Sequence, residues 1–74
     1  MTQFENAKIT PRIGARIAKA REDQQMTQLE LADRIEASLA QVIRYERGDL
    51  DMALSRLFDI ATVLGIPASE LMVE

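Results

Sequence analysis

Cysteine and histidine are both missing from the 74 residues of this chain. Without cysteine there are no disulfides, and without either residue the usual zinc sites are excluded. The lack of histidine also removes the commonest general base. No Gly-rich loop of P-loop type occurs. The acidic residues are spread along prospective helix surfaces rather than clustered at metal-ligand spacing. Ser38, Ser55 and Ser69 read as caps or helix-surface residues with no partner to activate them. Catalysis is therefore not expected, nor a metal, nor a cofactor. No apolar run approaches the ~18 residues of a membrane span. The N-terminus lacks the basic-then-apolar order of a signal peptide, so a cytoplasmic location is expected.

What the chain does have is 47% apolar and 28% charged residues, a balance that favours a globular domain over disorder. Its length allows one domain with a modest core, burying about 60% of the surface its unfolded chain exposes. The net charge is −3, but it is unevenly spread. Residues 1–47 hold eight basic and seven acidic side chains, whereas residues 48–74 hold only Arg56 against five acids. The excess acid thus lies in the last third.

The chain is organised around residues 27–48, TQLELADRIEASLAQVIRYERG. Thr27 and Glu30 make a capping box, with Met26 and Leu31 placed as a hydrophobic staple. Leu31, Ala32 and Ile35 form an apolar stripe over a second helix running to about Ile35. Ser38 with Gln41 repeats the start signal. Val42 and Tyr45 then face inward from a third helix, about Leu39 to Arg47, and Gly48 ends it. Small Ala32 sits where the two helices cross.

Upstream, Thr10-Pro11 starts a first helix that runs to about Asp23, with Ile13, Ile17 and Ala20 inward. Arg12, Arg16 and Lys19 lie outward, and Arg12 is near enough to the helix start to approach a phosphate. Residues 1–9 form an N-terminal arm, mobile unless Phe4 and Ile9 pin it. Residues 10–74 form the domain. Downstream, GDLDMA is a loop in which Asp51 is placed to cap a fourth helix, about Met52 to Leu64. Leu54, Leu57, Ile60, Ala61 and Leu64 give that helix a core stripe. Gly65 stops it, and a short last helix over residues 68–72 turns Leu71 inward.

Four pieces, IGARIAKARE, MTQLELADRI, YERG and LFDIATVLGIPASEL, carry a resemblance that runs without gaps from Ile13 to Leu71. They resemble the phage-repressor and Cro family of helix-turn-helix proteins, often called XRE. The resemblance implies an all-α, five-helix, lambda-repressor-like domain that binds double-stranded DNA as a homodimer on a palindromic operator. It pairs Arg21 with Glu46 as a structural bridge between the first and third helices. It gives Gln28, at a helix N-terminus, a phosphate to bind, which suits the positive end of the helix dipole. It gives base reading to Leu39, Ala40 and Arg44, with phosphate contact near Arg47.

Residue chemistry adds detail. Among the outward residues of the third helix only Arg44 is a strong hydrogen-bonding group, able to grip guanine O6 and N7 together. Leu39, Ala40 and Ile43 can touch thymine methyls. Two features depart from the family. Glu36 stands where a glycine is preferred, and Asp49 and Asp51 stand where basic or amide groups usually reach phosphates. The apolar outer face leaves room for another class, a protein-binding module such as an antitoxin or antirepressor, or for a third helix packed more deeply. Phe58, off the main stripe of its helix, is a candidate for the subunit interface, together with Leu50, Met72 and Val73. By resemblance the source is bacterial or phage, and the type a prophage repressor or a restriction–modification controller.

Overall fold

Three hydroxyl side chains start the first three helices. Thr10 Oγ1 accepts from the Ile13 N–H at 3.2 Å and opens α1, Pro11–Asp23. Thr27 accepts from the Glu30 N–H at 3.0 Å, while Glu30 Oε1 accepts from the Thr27 N–H at 2.8 Å. This complete capping box opens α2, Gln28–Arg34. Ser38 and Gln41 repeat it at 3.1 and 3.0 Å for α3, Leu39–Arg47. In the computed structural model, which describes residues 6, 7 and 9–72 and gives Asn6 and Ala7 by backbone alone, α4 is Leu54–Leu64 and α5 is Ala68–Leu71. These are the five helices that the sequence implies. Phe4 and Val73 lie outside the described residues.

The ends of the first four helices share one device. Gln25, Glu36, Gly48 and Gly65 all have positive φ, at 57°, 57°, 76° and 70°. Each directly follows a helix or its last turn, and the N–H of the next residue bonds back to the carbonyl five positions earlier. The bonds are Met26 to Arg21, Ala37 to Ala32, Asp49 to Arg44 and Ile66 to Ala61, at 2.9–3.2 Å. This is the Schellman motif, which satisfies carbonyls that the helix leaves open. The turn at Glu36 therefore keeps the left-handed geometry that a glycine would favour, although a side chain is present.

The core is continuous across the helices. Ile13 and Ile17 from α1, Leu31 and Ala32 from α2, Val42 and Tyr45 from α3, Leu57, Ile60, Ala61 and Leu64 from α4, and Leu71 from α5 are all buried. Helix α3 packs on α1 and α2, while α4 and α5 pack on each other and on α1, and α4 also packs on α2. Gly14 is what lets α1 and α3 meet: a Cβ there would lie 2.5 Å from the Glu46 carbonyl oxygen. Two side chains tie the far end together. Gln24 Nε2 donates to the Leu64 carbonyl, and Arg56 Nη1 donates to the Ile35 carbonyl.

Two segments hold strand structure that the sequence does not indicate. Within the arm of residues 1–9, which Ile9 is one of two residues able to pin, β1, Asn6–Ala7, pairs antiparallel with β2, Met52–Ala53, and Ile9 is buried. This two-residue ladder sits beside the otherwise helical fold. It also moves the start of α4: Met52 is a buried strand residue rather than the first of the helix. Asp51 does not cap α4, whose N-cap is Ala53 with no side-chain cap bond.

Candidate nucleic-acid interface

Arg21 is the only buried charged residue among those described, and its surroundings explain how it is tolerated. Its Nε donates to Glu46 Oε2 at 2.7 Å and its Nη2 to Glu46 Oε1 at 3.1 Å, a bidentate pair. Its Nη1 donates to the Met26 carbonyl at 2.8 Å. The two side chains are only 10% and 7% exposed. Hydrogen bonding to Glu46 holds the guanidinium above its ordinary pKa, and burial opposes it. Gln28 Nε2 also donates to Glu46 Oε1, at 2.9 Å. One carboxylate thus receives α1 and the first residue of α2 from its place near the end of α3. Among the described residues no buried side-chain nitrogen or oxygen lacks a partner.

This brace leaves the opposite side of α3 uncovered. Leu39 is 41% exposed, and Ala40, Arg44 and Arg47 are exposed with it. Ile43 differs from the expectation, being half-buried at the edge of that face. Leu29, on the outer side of α2, is also exposed. The start of α1 lies against the end of α3, since a Cβ on Gly48 would fall 2.4 Å from the Pro11 nitrogen. Arg12 and Arg47 each stand one residue from this backbone contact, and both are exposed. The structure therefore brings Arg12, Arg47, Arg44 and Leu39 to the two ends and outer face of one helix, with Gln28 beside its brace.

The acids are placed with equal definition. Glu36 is exposed in the turn between α2 and α3. Asp49 is not merely a repelling charge, because its Oδ1 accepts from Arg44 Nε at 3.3 Å and its carbonyl accepts from Arg44 Nη2 at 3.2 Å. The sequence reading missed this pair, and it missed Gly14. Both left a signal: a glycine inside a helix costs about 1 kcal/mol against alanine and so needs a packing reason. An acid directly after a C-terminal glycine falls beside the residue five positions before it.

The remaining candidates separate. Phe58 is 50% and Met72 45% exposed. Leu50 is not surface in the same sense: it is half-buried and packs on the core. Among the described residues no helix is long and apolar enough to cross a membrane.

Comparison with known proteins bears on the same region. A family model described as helix-turn-helix matches residues 17–71. An uncharacterized transcriptional regulator in the ATPase CF(0) region of Rhodospirillum rubrum is 40% identical over 55 residues, 74% of this chain and 51% of that protein. The chain thus spans about half the length of that curated relative. The restriction-modification controller protein C.AhdI from Aeromonas hydrophila has a similar structure, with a TM-score of 0.78 at 28% identity over 82% of this chain and 92% of that one. The apo form of ComR from S. thermophilus is 41% identical with a TM-score of 0.75, over 84% of this chain and 21% of that one.

Proposed function

The chain belongs to the XRE-type helix-turn-helix family of DNA-binding transcriptional regulators, and from that premise we propose that it binds double-stranded DNA with α3 in the major groove. The observation that carries this reading is the uncovered face of α3, held outward by the Arg21–Glu46–Gln28 brace. Arg44 reads a guanine, while Leu39, Ala40 and the edge of Ile43 select by apolar contact with thymine methyls. Gln28, with one N–H engaged by Glu46, has its second N–H and the N-terminus of α2 to offer a phosphate. Arg47 and Arg12 supply charge to the backbone on the other side. These contacts position the duplex, and those of α3 specify it.

The functional unit in this proposal is a homodimer on a palindromic operator, with two α3 helices about one DNA turn apart. Phe58 and Met72 are the exposed apolar side chains that support pairing away from α3. The likeness to C.AhdI favours a restriction–modification controller or a repressor of similar build. Selection of bound sequences from a random duplex pool, with the mass of the protein measured in parallel, tests this. A palindrome bound by a dimer is expected. A folded protein that enriches no sequence would remove the reading.

A second reading rests on one observation, the exposed Leu29 and Leu39 beside acidic Glu36. Such a surface suits a protein partner. Leu39→Asp then abolishes partner capture while Arg44→Ala leaves it intact. In the DNA reading Arg44→Ala relaxes discrimination at one base pair.

A further inference from the structure

We propose that Asp49 is a positioning residue that presents the guanidinium of Arg44 end-on to a guanine. The inference rests on the base-reading role given to Arg44 above. It begins in the backbone. At the end of α3 the Asp49 N–H bonds to the Arg44 carbonyl at 3.2 Å, so the Schellman motif fixes these two residues side by side. The motif usually places an apolar pair there. At the end of α4 that pair is Ala61 and Ile66, and at the end of α2 it is Ala32 and Ala37. At the end of α3 it is a cation and an acid.

The end of α1 shows what an arginine does in this position. Arg21 stands in the same relation to Met26 as Arg44 does to Asp49, and it too donates to the carbonyl of the later residue. Its remaining nitrogens grip Glu46, and the side chain is fixed. Arg44 uses the same carbonyl anchor and adds the Asp49 carboxylate.

Which nitrogens are engaged decides what is left. Nε and Nη2 define the side edge of the guanidinium, and Asp49 takes both. The end edge, formed by Nη1 and the second N–H of Nη2, keeps two parallel donors. Two parallel donors are what guanine O6 and N7 accept. A free arginine on an exposed helix samples many rotamers; one held by its side edge is pre-organised for this contact. The acid on the DNA-facing loop therefore carries a benefit in discrimination against its cost in general affinity.

The experiment uses the full chain on its selected duplex and on duplexes with each base pair replaced in turn, at one salt concentration. Asp49→Asn removes the charge but keeps an acceptor; Asp49→Ala removes both. Both variants are expected to bind unrelated duplex more tightly than the parent. Only Asp49→Ala should lose discrimination, by roughly fivefold at a single guanine, a fraction of what a bidentate pair supplies. That loss should vanish on an Arg44→Ala background. Equal discrimination by the two Asp49 variants would overturn the proposal and leave Asp49 a repelling charge. Unchanged discrimination in Arg44→Ala itself would remove the base-reading role, a separate failure that takes the positioning role with it.

Discussion

Glu46 is where three helices are joined by single side chains, and it shows how far residue identity can be read without coordinates. Its partnership with Arg21 followed from resemblance; the third partner, Gln28, did not, because the reach from α2 depends on where the helices cross. Burial makes this site sensitive. Removing one member of a buried bidentate pair leaves the other charge without compensation, so Arg21→Ala and Glu46→Ala should each destabilise by about 3–5 kcal/mol. Denaturant unfolding should show that the two losses do not add in the double variant. Additive losses would contradict the pairing. Glu36 makes a smaller, opposite prediction. Its φ of 57° is a conformation that costs a side chain roughly 1–2 kcal/mol, against about 0.5–1 kcal/mol that glycine loses in unfolded freedom. Glu36→Gly should therefore raise stability by about 0.5–1 kcal/mol and tighten DNA binding by removing a negative charge. The sequence placed the turn but left its geometry open, since a glutamate admits more than one conformation there.

At the scale of elements, signals confined to a few neighbouring residues were legible and non-local ones were not. Thr10, Thr27 and Ser38 cap as their spacing indicates, because a cap and its N3 partner are only three residues apart. The start of α4 was misplaced by two residues, because Met52 and Ala53 pair with Asn6 and Ala7, far away in sequence. Non-local pairing of this kind leaves no periodic signal. The capping box of α2 carries a pH dependence. The Thr27 backbone N–H, and then its hydroxyl, hold the Glu30 carboxyl below its ordinary pKa. A lowered value means that the stabilisation is present above the ordinary glutamate range and lost as pH falls through the lowered one. The difference in urea midpoint between the parent and Glu30→Gln should thus shrink from about pH 6 to about pH 3. A difference constant across that window would show that the charge of Glu30 plays no part in the cap.

For the whole molecule, charge distribution was legible and its consequence was not. Arg56, the one basic residue after position 47, is half-buried and donates to the Ile35 carbonyl, so the last third has a single, partly engaged cation. The other basic groups of the described residues lie on α1, α2 and α3. In the proposed dimer the α4–α5 side, which exposes Phe58 and Met72, then suits contact between subunits better than contact with DNA. Phe58→Asp should yield a monomer by sedimentation, with operator affinity lower by roughly a hundredfold through lost bivalency. A dimer that survives this substitution would place the interface elsewhere.

In the proposed function the outer face of α3 meets duplex DNA. Amide chemical-shift mapping tests it without knowledge of the operator, since a mixed-sequence duplex at low salt should bind with a Kd of about 10⁻⁴–10⁻⁶ M or tighter. Shifts should concentrate at Thr27, Gln28, residues 38–49 and the start of α1 at Arg12. Shifts confined to α4 and α5, or none at saturating duplex, would contradict it.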